Sequence, residues 1–150
     1  MSLYCVVELI NPETLEPIVI QSKENAMGAL VGVNSTTAYR IGLYEDHIPQ
    51  PIFPWVDLSV RQEGYYKLRF SLFEVRCDPH HGLTFMPLAK VDSNTFQVYS
   101  AKSFPCMSPS TAITETLKKH GIRVRVSKTT RQTRTRANQV PRLCHFWVLF

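Results

Sequence analysis

The stretch that most constrains the fold is "DLSVRQEGYYKLRFSLFEV", residues 57–75. After a turn-like Glu63-Gly64 the side chains alternate in character. Tyr66, Leu68, Phe70 and Leu72 point one way, and Lys67, Arg69 and Ser71 the other. A period of two with this contrast is a strand with one buried face and one wet face. The four apolar residues are the predicted core positions, and Lys67 and Arg69 are predicted to be exposed. A strand of this kind needs a second layer to cover it.

The rest of the chain supplies candidates for that layer. Pro and Gly recur every eight to twelve residues through most of the sequence, which favours short strands over long helices. "LYCVVELI" (3–10) reads as a first strand that stops at Asn11-Pro12, and "EPIVIQ" (16–21) and "AMGALVGV" (26–33) follow as β-rich runs. Three prolines in "EDHIPQPIFP" (45–54) predict an irregular connection or an edge. Asp-Pro and Gly in "CDPHHG" (77–82) predict a reversal. "FMPLAKV" and "NTFQVYSA" give two more strands, with Phe96 and Val98 as core positions of the second.

One helix stands out. Ser108-Pro109 offers an N-cap followed by a proline in the first turn, and Ile113 and Leu117 lie four apart in "STAITETLKKHG". Lys118, Lys119 and His120 fall at the negative end of the helix dipole, and Gly121 is a natural stop. "IRVRV" then predicts a strand with Ile122, Val124 and Val126 inward and Arg123 and Arg125 outward. At 150 residues and 44% apolar content, the chain is one domain with a real core. The expected fold is mainly β: an antiparallel, immunoglobulin-like β-sandwich with one short helix near the C-terminus.

Charge is distributed unevenly. Residues 1–117 carry 8 basic and 12 acidic side chains, whereas residues 118–150 carry 9 basic and no acidic ones. Such a basic end suggests a polyanionic partner, nucleic acid before membrane. The candidate phosphate contacts are Arg123, Arg125, Lys128, Arg131, Arg134 and Arg136. The same side chains serve equally well as a nuclear localisation signal, and a solvated charged face is the ordinary alternative.

Other function classes find little support. Cys77, His80 and His81 are close together, but no second ligand pair stands at zinc spacing, so a polar turn is the ordinary reading and no metal is expected. There is no phosphate-binding Gly-rich loop and no nucleophile elbow. The expectation is a non-enzyme without cofactor or small-molecule substrate. "MSLYCVVELINPE" lacks the features of a signal peptide, and no apolar run reaches the ~20 residues of a membrane span. Four scattered cysteines in such a chain are expected to be reduced, in an intracellular protein with no membrane association.

"FPWVDLSVRQEGYYKLRFSLFEV", "FQVYSAKSFPCMSPST" and "LKKHGIRVRVSK" resemble, in order and spacing, successive hallmarks of the fungal velvet domain. The resemblance covers roughly residues 52–128, with a looser match from 3 to 51. It implies a sandwich related to the Rel-homology fold. It also implies a nuclear protein, with the cytoplasm as a further location, that dimerises with other velvet proteins and binds DNA to regulate development, sporulation and secondary metabolism. The family domain has an additional strand and a Lys/Arg-rich, DNA-contacting loop ahead of the strand matched by 3–10. No residue of this sequence takes that loop's role, so a dimerisation-only velvet partner, a protein-interaction module, is the alternative. The family's "FPGM" is "FPCM" here, with Cys106 in place of glycine. The expected organisation is a velvet-like sandwich over 1–128 and a basic, flexible tail with an apolar end over 129–150.

Overall fold

The alternation at 64–75 is realised as the backbone of the molecule. In this computed structural model, which describes residues 2–21, 26–42, 48–80, 82–100, 102–104, 110–124 and 146–149, it belongs to a strand of 15 residues. The first six strands are β1 (Ser2–Ile10), β2 (Val19–Gln21), β3 (Ala26–Gly28), β4 (Leu30–Val31), β5 (Ser35–Thr37) and β6 (Tyr39–Gly42). There follow β7 (Pro49–Trp55), β8 (Ser59–Val60), β9 (Gly64–Asp78), β10 (Gly82–Asp92) and β11 (Phe96–Val98), then helix α1 (Ala112–Lys119) and β12 (Phe146–Leu149).

The larger sheet has the order β10-β9-β1-β5, with β11 also pairing with β9, and every pairing in it is antiparallel. A second sheet has the order β12-β7-β6, and β2-β3 and β4-β8 form two short pairs. The fold is therefore the expected antiparallel β-sandwich with one short helix. Tyr66, Leu68, Phe70 and Leu72 are all buried. They join Cys5, Val7 and Leu9 of β1 and meet Phe53 and Trp55 of β7 and Val60 of β8 in one core. The Trp55 ring lies 5.1 Å from Phe70 and 6.5 Å from Phe53, within the range of favourable aromatic pairs. Val98 is buried and Phe96 packs against the same core, as the sequence pattern indicates. Cys5 is fully buried, and desolvation pushes its thiol up to about 12.

Four local expectations need correction. Residues 49–55 form a regular strand, not an irregular connection; it pairs with β6 over 49–52 and with β12 over 52–55, so that Ile52 is paired on both sides and each half is an edge on its other flank. The register explains why three prolines are tolerated. Pro49 and Pro51 pair with β6 outside the 52–55 stretch that pairs with β12, whereas Pro54 pairs with β12 outside the 49–52 stretch that pairs with β6. Each proline thus has one flank free of the ladder, as on an edge strand.

Arg69 is not simply exposed. Its Nε and a terminal nitrogen each donate 2.7 Å bonds to the two oxygens of Asp92, directly opposite on β10, and its other terminal nitrogen donates to the Leu15 carbonyl at 3.0 Å. Asp92 is held below its ordinary pKa chiefly by this hydrogen bond. Lys67 is likewise partly covered rather than fully exposed.

The helix starts later than Ser108, which lies outside the described residues. Thr111 is the N-cap, its side chain accepting from the Thr114 backbone N–H. Finally, residues 122–124 continue in irregular structure and not as a strand, although Ile122 and Val124 are still packed and Arg123 exposed.

Candidate nucleic-acid interface

The geometry around Arg123 begins with the helix. Leu117 is fully buried against Ile41 of β6 and Ile52 of β7, and Ile113 packs beside them, which fixes α1 on the second sheet. The helix ends in a Schellman turn. Gly121 donates to the Lys118 carbonyl at 3.0 Å and Ile122 to the Leu117 carbonyl at 3.1 Å. Gly121 adopts φ +81, a left-handed conformation that glycine takes at little cost. The turn returns Ile122 to Leu117, and Val124 joins the same apolar cluster. Arg123, between them, is directed outward.

Lys118, Lys119 and His120 are also exposed, so four basic side chains crowd the end of α1. Beside them opens a cleft of about 380 Å³, lined by His120, Arg123, Ser35, Thr36, Tyr39 and Trp55, among others. Three of these residues carry hydroxyls that can bond phosphate oxygens. The Trp55 indole N–H has no hydrogen-bond partner among the described residues, although the side chain is buried. Asp57 is the acidic member of the lining; its carboxylate accepts from the Val33 N–H at 3.3 Å. Gly32 makes that approach feasible, because a Cβ there would lie 2.5 Å from the Asp57 carbonyl oxygen.

Of the six candidate phosphate contacts, Arg123 is placed at this site, and Arg125, Lys128, Arg131, Arg134 and Arg136 lie outside the described residues. Sequence reasoning counts Lys118 and Lys119 in the basic end and places them with His120 at the helix dipole, but does not name them among the candidate phosphate contacts. Their membership of the same exposed group follows from the tight turn at Gly121. Ser35, Thr36 and Tyr39 could not be found from sequence, because they reach the cleft through sheet pairing.

Cys77 is exposed and His80 sits in the β9–β10 turn, where its N–H donates to the Asp78 carboxylate at 2.7 Å. Among the described residues no group of three or more His, Cys, Asp or Glu side chains could hold a metal ion, and no helix is long and apolar enough to cross a membrane.

Comparison with known proteins gives this geometry a family. The velvet factor family model matches residues 11–131. A developmental and secondary metabolism regulator of Cochliobolus heterostrophus is 38% identical over 100 residues, covering 57% of this chain and 16% of the relative. A probable velvet family sexual development regulator of Schizophyllum commune is 31% identical over 117 residues, covering 78% of this chain and 41% of the relative. A component of the velvet complex of Chaetomium globosum is 34% identical over 88 residues, 59% of this chain and 19% of the relative. The chain thus spans less than half the length of each of these relatives. With its three sequence hallmarks, its sandwich and a family match over most of its length, this chain belongs to the velvet family.

Proposed function

We propose that this chain is a velvet-type transcriptional regulator of fungal development, sporulation and secondary metabolism, acting in the nucleus as a dimer on DNA. The names of its relatives, developmental regulators and a velvet complex component, support the regulatory role and velvet-family partners. They also favour a regulator without catalytic activity.

The observation that carries DNA as the ligand is the exposed group Lys118, Lys119, His120 and Arg123, held at one end of the sandwich by the Schellman turn. It stands where the chain enters a longer run of basic residues with no acidic ones. Cations on a fixed turn contact phosphates, and such contacts position a protein on DNA without reading its sequence.

Fluorescence anisotropy of the full chain with DNA duplexes at several salt concentrations tests this. A Lys118→Ala/Lys119→Ala/Arg123→Ala variant should bind every duplex more weakly by a similar factor. Its log–log salt slope should be shallower by about 3, close to one per lost phosphate contact. Unchanged affinity and slope would remove this group from the interface. A second reading, a dimerisation module without its own DNA binding, is favoured by the velvet complex component among its relatives. Absence of DNA binding by wild type at low salt would select it.

A further inference from the structure

The cleft beside the basic turn is more than phosphate contacts require. Phosphates on the outside of a duplex are met by exposed cations, and Lys118, Lys119 and Arg123 already supply these. The cleft lies where the chain crosses from β5 of the larger sheet to β6 of the second, and at about 380 Å³ it reaches the size of small-ligand sites. Its lining offers a donor, an acceptor, a ring and a cation.

Trp55 gives the donor. Its side chain is 2% exposed, and its indole N–H is the buried side-chain polar atom left without a partner among the described residues. A buried N–H without an acceptor is costly, and in a cleft it marks a place that a ligand acceptor can fill. Asp57 gives the acceptor: one carboxylate oxygen takes the Val33 N–H, and the second can accept from a ligand. Tyr39 gives the ring, being 45% exposed, whereas the Trp55 ring is engaged with Phe53 and Phe70. Arg123 gives the cation.

These contacts select among ligands. A bare phosphate would use Arg123, but the Asp57 carboxylate would repel it and the ring would stay idle. A purely apolar ligand would leave the Trp55 N–H and the Asp57 carboxylate unpaired. A nucleobase carries acceptors, N–H donors and a flat face, with its own phosphate a short tether away. In a duplex that edge and face are taken by pairing and stacking, so a base enters a cleft only when it is unpaired.

We propose that this cleft takes one unpaired base of the DNA whose phosphates meet the basic turn. The base stacks on Tyr39, accepts from the Trp55 N–H and donates to Asp57, while Arg123 holds its phosphate. The proposal rests on the nucleic-acid reading above and names the form of DNA that the site prefers.

Fluorescence anisotropy of the full chain with duplexes that end in one unpaired nucleotide tests it. Each of the four bases is compared with an abasic nucleotide, which keeps the sugar and phosphate and lacks the base. For wild type, at least one base should bind about tenfold tighter than the abasic end, the gain of a single stacked base. The salt slope should be the same for both, because no phosphate contact is added. Tyr39→Ala and, separately, Asp57→Asn should each remove most of this difference and keep the salt slope. Both side chains are exposed, so the circular dichroism spectrum and the urea midpoint should stay near wild type. Tyr65→Ala, at an aromatic residue of β9 that is 60% exposed, should keep the difference.

Equal binding of every base and the abasic end overturns the proposal; salt-dependent binding in that case leaves the phosphate reading standing. A base preference that survives in both cleft variants also overturns it. Absence of binding to every end at low salt overturns the proposal and the DNA reading together.

Discussion

Phe70→Ala removes a side chain that is 2% exposed and lies at the junction of the two layers. On its own sheet Phe70 stands opposite Val7 of β1 and Val91 of β10, and across the core its ring is 5.1 Å from Trp55. Transferring the lost apolar surface to water costs about 2–3 kcal/mol. The neighbours belong to a paired sheet and to a large aromatic side chain, so they collapse only partly into the space. The cavity raises the total to about 3–5 kcal/mol. That is a large part of the roughly 5–15 kcal/mol that holds a typical domain together. With a urea dependence of about 2 kcal/mol per molar, the unfolding midpoint should fall by about 2 M. Circular dichroism melts in urea measure it directly. A midpoint within about 0.5 M of wild type would mean that Phe70 does not bridge the layers, and the core assignment for Tyr66, Leu68 and Leu72 would fail with it.

Three further outcomes follow from the local geometry. Because Arg69 holds the Asp92 carboxyl below its ordinary pKa, the stability this pair contributes is present above the unfolded value of about 3.9 and is lost as pH falls through the lower folded value. Asp92→Asn should therefore flatten the acid limb of the stability–pH curve, and an unchanged limb counts against the pair. Gly32→Ala should destabilise strongly, by about 2 kcal/mol or more, because φ is +107 and the new Cβ would meet backbone at 2.5 Å. Gly121→Ala, with φ +81 and open space around it, should cost only about 1 kcal/mol in the same melts.

Period-two patterning made β9 and its core face legible in the sequence, since alternation is a property of the strand itself. Pairing partners are not local, and most of the differences lie there. Pro49, Pro51 and Pro54 argue against a strand until the register shows that each has a flank free of the ladder. Arg69 reads as a wet-face cation, and its partner Asp92 is 23 residues away on the next strand. The alternation of Ile122, Arg123 and Val124 is real in burial, but its cause is the Schellman turn that folds Ile122 back onto Leu117. The basic character of the candidate site was legible in composition. Its nearness to Ser35, Thr36 and Tyr39 depends on the sheet and was not. The Tyr4–Phe85 ring contact escaped for the same reason: the two residues lie on strands either side of β9 that only the register aligns.

The salt dependence of DNA binding by the wild-type chain bears most directly on its role. If Lys118 and Lys119 together with Arg123, Arg125, Lys128, Arg131, Arg134 and Arg136 contact about eight phosphates, the logarithm of the binding constant should fall with the logarithm of salt concentration with a slope of about −7. Affinity at physiological salt should then be micromolar or weaker, with little preference among sequences. No binding at low salt, or binding that ignores salt, would contradict a phosphate-contacting basic end.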